Sequence, residues 1–171
     1  MQLRRFILLI VFLYFSAAMF IACKKKETYP IEPHIEFMSF TKVQNSTGID
    51  DKGKLKISFT DGDGDVGLRP EDTIAPYDTS SRYHYNFFIT YYEKQKGVYK
   101  EVHLPVSNNS RIPDLTPSGD DKSLNGEIEI ELFINNPFSQ YDTIRFDAAI
   151  ADRALHESNI ITTPDIIVKK H

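Results

Sequence analysis

The sequence predicts an all-β fold, an antiparallel sandwich of about seven strands. Three observations predict it. Beyond residue 33, apolar and polar residues alternate with a period of two in one segment after another. Polar turns rich in Gly, Pro, Asn and Asp separate those segments. No stretch of that region sustains the 3.6-residue period of a helix over several turns.

Taken in order, His34 to Val43 places Ile35, Phe37 and Ser39 on one side, and Asn45 to Gly53 reads as a polar loop closing on Asp50-Asp51-Lys52-Gly53. Lys54 to Thr60 turns Leu55, Ile57 and Phe59 inward. Residues 68 to 82, with Pro70 and Pro76, form a long excursion. Tyr83 to Tyr92 is aromatic on both faces, as in a central strand, and Gly97 turns it into a hairpin with Val98 to Leu104. Asn108 to Leu115 contains Pro113 and supports only a short edge strand. Thr116 to Asn125 is a polar loop with Asp120 and Asp121.

Glu127 to Ile134 is the clearest strand: Ile128, Ile130, Leu132 and Ile134 alternate with Glu127, Glu129, Glu131 and Phe133, so one face is wet. Thr143 to Ala151 repeats the pattern with Ile144, Phe146, Ala148 and Ile150. Asn159 to Val168 is broken by Pro164 and belongs at an edge or a bulge. This count and spacing predict a sandwich of the immunoglobulin or fibronectin III type, with a small barrel or jelly roll as the competing architecture. The single Cys and the absence of Trp exclude the paired cysteines and buried tryptophan of antibody domains.

Ahead of that domain, Met1 to Ala22 has the three parts of an export signal: Arg4 and Arg5, the apolar run Phe6 to Phe15, and the small and apolar stretch Ser16 to Ala22. Cys23 follows at once. This arrangement resembles the lipobox of bacterial lipoproteins, although Phe20 stands where leucine is usual. The resemblance implies that residues 1–22 are removed, that Cys23 is acylated and that the chain is held on the cell envelope, with an uncleaved membrane anchor as the alternative. The expected division is therefore a signal peptide at 1–22, a lipidated cysteine and tether at 23–33, where Pro30 and Pro33 favour extended chain, and one domain at 34–171.

Cleavage removes two arginines and no acidic residue, taking the net charge from −4 to −6. Such an acidic domain does not suit nucleic acid, and with Cys23 modified it has no thiol nucleophile, thiolate metal site or disulfide. Lys24-Lys25-Lys26 would add attraction to anionic headgroups. In lipoproteins of the Bacteroidota, surface export goes with acidic residues after the cysteine, a pattern from which these lysines depart.

Chemistry concentrates in Asp61-Gly62-Asp63-Gly64-Asp65-Val66-Gly67. Three carboxylates at alternate positions repel one another unless a cation or basic group neutralises them. On a straight strand they would stand about 6.5 to 7 Å apart, whereas oxygens around one calcium lie at most about 5 Å apart. The segment must curl, and Gly62, Gly64 and Gly67 are expected to allow it. The glycine of an EF-hand loop belongs at position 6, which is Val66 here, so this is not that motif.

The segment Ser58 to Gly67 resembles one found in uncharacterised Bacteroidota lipoproteins carrying an FTDGDGD sequence. Ile144 to Asn159, followed by Thr163 to Val168, resembles the last hairpin of bacterial Ig-like domains. In Ig order the acidic loop and the loop 152–159 emerge at one end of the sandwich. Asp152 continues the inward parity of Ile150, as Asp61 continues that of Phe59. Asp61, Asp63, Asp65 and Asp152 are therefore the expected ligands of one calcium, against the alternative of a solvated turn paired with Arg69 or Arg153.

The five histidines are scattered, and His156 reads as a turn residue lacking the second histidine of a zinc-protease motif. No nucleophile elbow or recognisable carboxylate pair is present, so the expectation is no enzyme. The expected function is a lipid-anchored, calcium-stabilised binding or accessory module of the outer membrane, with an envelope protein or glycan as partner and no nucleic acid. The alternatives are a carbohydrate-active or other hydrolytic lipoprotein, with its site in the loops at 68–82 and 105–125, or an accessory subunit of a nutrient importer.

Overall fold

A computed structural model describes Arg4, residues 28–116 and residues 122–171. The expectations for the rest of the signal segment, Cys23, Asp120 and Asp121 fall outside the described residues. The strands are β1 (His34–Gln44), β2 (Asp50–Asp61), β3 (Phe87–Gln95), β4 (Val98–Glu101), β5 (Leu124–Phe133), β6 (Thr143–Ile150), β7 (Ile161–Thr162) and β8 (Ile166–Ile167). They form two antiparallel sheets, β1-β2-β5 and β4-β3-β6-β7, with β8 also paired to β6. First, second and fifth strands thus face third, sixth and seventh, which is the antiparallel two-sheet sandwich that the strand pattern predicts.

The core lies between the inner faces, where Leu55, Ile57 and Phe59 of β2 meet Phe87 and Tyr91 of β3 and Ile144, Phe146 and Ile150 of β6. Phe40 and Tyr91 both pack on Phe146, with ring centroids 5.9 and 5.5 Å apart. On the wet face of β2 and β5, Lys52, Lys54 and Lys56 pair diagonally with Glu131, Glu129 and Glu127. Exposed pairs of this kind contribute less than about 1 kcal/mol each, so the apolar face decides the register.

The structure departs from the strand expectations where side chains replace ladder partners. A bulge at Met38 shifts the inward set of β1 from Ile35 and Phe37 to Phe40. Asp50 to Gly53 belong to β2 rather than to the preceding turn, because Asp50 is buried against Lys42 and the Lys169 amide. The aromatic segment starts with a single 3-10 turn at Arg82–His84, and its strand begins only at Phe87. The second hairpin strand ends at Glu101, before the expected Leu104.

Asn108 to Leu115 forms isolated bridges at Ser110 and Pro113 in place of a strand. The buried Asn86 side chain takes the ladder's role there, accepting from the Ile112 amide at 2.6 Å. The last strand splits around Pro164, which has no N–H to donate. Thr163 bridges the gap by bonding both backbone groups of Phe146.

Candidate cation site

Two strands deliver the walls of the site. Alternation along β2 carries the inward set through Phe59 to Asp61, and alternation along β6 carries it through Ile150 to Asp152. Both carboxylates therefore end at the rim of the core, 0% and 1% exposed. β2 ends opposite the start of β5, and β6 ends opposite the start of β3, so the two following loops share one end of the sandwich.

The acidic loop curls as its residue spacing requires. The Asp65 amide donates to Asp61 Oδ2 at 2.9 Å, and Gly64 and Gly67 adopt φ of 68° and 108°. Gly62 does not use a positive φ. It is required for a different reason: a Cβ there would stand 2.3 Å from the Tyr29 carbonyl oxygen. Val66 bridges to Asp152, and the Arg153 amide bonds the Asp65 carbonyl at 3.2 Å, so the two loops are stitched together.

These contacts bring one oxygen from each of Asp61, Asp63, Asp65 and Asp152 within 4.8 Å of one another. Two ligands on opposite sides of one calcium stand about 5 Å apart, so the four oxygens fit a single ion. Asp61, Asp63 and Asp65 also each keep Oδ1 buried without a hydrogen-bond partner. A buried carboxylate oxygen left unpaired is costly, and three in one loop leave the cluster short of positive charge.

The electrostatics follow from that geometry. Burial, reinforced by the charge of Asp63, pushes Asp61 up to about 6. Burial raises Asp65 as well, with Asp152 and Asp63 adding to it. Asp152 is raised by burial against the opposing hydrogen bonds of His156. The nearby arginines form their ion pairs outside the loop, Arg69 bonding Asp114 at 2.9 Å and Arg153 lying 2.7 Å from Asp114 and 3.6 Å from Asp72, and the charge of Arg153 only partly opposes the rise at Asp65. Hydrogen bonds from Thr116, joined by the two arginines, hold Asp114 below the usual carboxylate range. Among the described residues, no lysine or arginine forms an ion pair with Asp61, Asp63 or Asp65.

His156 belongs to the site in a way that its sequence setting did not suggest. Its amide donates to Asp152 Oδ1 at 2.7 Å, and its Nδ1 lies 2.8 Å from Oδ2, a bond that raises the imidazole above its ordinary value. Leu155, at φ 72°, makes the tight turn that presents it. The signal available in the sequence was the spacing of four residues after an inward-facing aspartate. Asn159 closes the same loop onto β1, its amide bonding both backbone groups of Ile35.

The other candidate regions show different chemistry. Asp72 and Asp114, in the loops at 68–82 and 105–125, are held by arginine as described. Of the aromatic strand, Phe87 and Tyr91 are core residues, while Phe88 and Tyr92 face outward under the guanidinium groups of Arg82 and Arg145. A cavity of about 340 Å³ borders Phe88, Glu101, His103 and Asn109, away from the acidic cluster. No protein-family model, curated protein or solved structure matches this chain.

Proposed function

We propose that this protein is a non-enzymatic, lipid-anchored β-sandwich of the bacterial cell envelope, stabilised by one calcium ion held by Asp61, Asp63, Asp65 and Asp152 and serving as a binding or accessory module. The observation that carries the cation is the set of three buried, unpartnered Oδ1 atoms converging with Asp152. Calcium suits an all-oxygen, carboxylate-rich site of this span, and His156 would orient Asp152 through its hydrogen bonds. With Asp72 and Asp114 of the flanking loops paired to arginine, convergence on an ion-sized point favours a stabilising centre over a hydrolytic pair. The envelope assignment rests on the signal-like residues 1–22 and Cys23. An envelope protein or a glycan is the expected partner class.

Thermal unfolding in calcium and in chelator tests the cation. An ion that binds only the folded state stabilises it by about 2.7 kcal/mol at a concentration 100 times its dissociation constant. The unfolding midpoint should therefore rise with calcium; an unchanged midpoint at millimolar calcium overturns the assignment and leaves the fold untouched. For the anchor, the expected result is that Cys23→Ala abolishes labelling by a fatty-acid probe and releases the protein from membranes. Labelling that persists in that variant rules out acylation at Cys23.

A further inference from the structure

The acidic loop touches a segment that takes no part in the sandwich. Gly62 lies between two of the four carboxylates, and a Cβ on it would stand 2.3 Å from the Tyr29 carbonyl oxygen and 2.5 Å from that of Pro30. Backbone is therefore packed directly on backbone. From the other side, Asn125 Nδ2 donates to the Tyr29 hydroxyl at 3.2 Å, and Asn125 pairs with Thr60, the residue before Asp61. A few residues on, Asn159 pins Ile35 from the loop that carries Asp152 and His156. Residues 29–33 thus pass from the acidic loop into β1, whose Ile35 is tied to the loop that forms the second wall.

We propose that the site is the clamp for this segment, so that cation occupancy fixes the direction in which the chain leaves the domain toward its N-terminus. The inference rests on the cation reading given above. Without an ion, the mutual repulsion of Asp61, Asp63 and Asp65 drives the loop apart, and Gly62 moves with its two neighbours. A contact with no room for a methyl group does not survive such a displacement. An ion that ties Asp61 to Asp63 holds the Gly62 surface in place and keeps Tyr29 and Pro30 seated. At most about 21 Å of fully extended chain separates Tyr29 from Cys23, so the clamp would set how the domain stands over an anchor at Cys23. Reciprocity requires that loosening the segment weaken the cation by the same factor that the cation tightens the segment.

The test uses the full chain in detergent with Ile31→Trp, a unique reporter because the sequence contains no tryptophan and Ile31 is 49% exposed. Calcium uptake is followed by titration calorimetry and the segment by tryptophan anisotropy. Anisotropy should rise with the same midpoint as the heat of binding. Adding Gly62→Ala should abolish the rise, and Asn125→Ala, whose side chain bonds Tyr29 and not the carboxylates, should weaken calcium about fivefold or more. Calcium uptake with flat anisotropy in the Ile31→Trp protein overturns the clamp and leaves the cation reading standing. Absence of both heat and anisotropy change overturns the cation reading and the clamp with it.

Discussion

Replacing Asp61 by Asn should stabilise the protein in chelator and remove most of the further stabilisation that calcium adds to the wild type. Asparagine keeps an oxygen to accept the Asp65 amide while removing the charge from a 0% exposed position. In the ion-free protein, that charge is opposed by burial and by Asp63, which push the carboxyl up to about 6. Its removal should raise ion-free stability at neutral pH by on the order of 1 to 3 kcal/mol. In calcium, one of four carboxylate ligands is lost, and most of the ion's stabilisation, about 2.7 kcal/mol at 100 times the dissociation constant, goes with it.

The sign with pH follows from the raised value. Between the unfolded carboxyl value near 3.8 and about 6, the folded ion-free protein binds the proton more tightly than the unfolded chain. The contribution of Asp61 to ion-free stability is therefore most favourable below that window and is lost as the pH rises through it. The difference between wild type and Asp61→Asn in chelator should grow from pH 4 to 6 and then level off, as measured by urea midpoints. A solvated turn with no ion would show the same gain in calcium as in chelator, and that result would refute the site.

Gly67→Ala should be among the most damaging single changes in the molecule, with or without calcium. Its φ of 108° is strained for alanine, and the new Cβ would fall 2.0 Å from the Pro113 carbonyl oxygen, 2.6 Å from its carbon and 2.8 Å from Asp114 Cα. All three are backbone atoms and cannot rotate away. The expected cost exceeds about 3 kcal/mol, from backbone strain together with overpacking. Gly64→Ala provides the contrast: at φ 68° it should cost about 1 to 2 kcal/mol for the left-handed conformation. The comparison is read as a fall in urea midpoint at constant denaturant slope. Equal midpoints for the two variants would mean that Pro113 is not seated on Gly67 in solution.

The legible parts of this molecule were those written in local periodicity. Alternation in Leu55, Ile57, Phe59 and in Ile144, Phe146, Ala148, Ile150 located two central strands, and extending that parity one step brought Asp61 and Asp152 to the same rim. Local pattern failed where a single side chain substitutes for a strand partner. Asn86 holds the Ile112 backbone, and Asn159 holds that of Ile35; such bonds span 26 and 124 residues and leave no periodic trace. Gly62 reads from the sequence as a source of positive φ, whereas its role is clearance for Tyr29 and Pro30. His156 reads from the sequence as an ordinary turn residue, because its spacing of four from Asp152 is a weak signal until the turn at Leu155 brings the imidazole onto that carboxylate.

By itself, the sequence determined the all-β class, the inward faces of the central strands and the four candidate aspartates, because a period of two decides which side chains point inward. Only the tertiary structure decided that Arg69 and Arg153 turn to Asp72 and Asp114, leaving three buried oxygens of the acidic loop without a partner. Charge balance at a site depends on which side chains arrive from distant parts of the chain and which are claimed first by another acid. Those are questions of distance in space, and composition and spacing are silent on them.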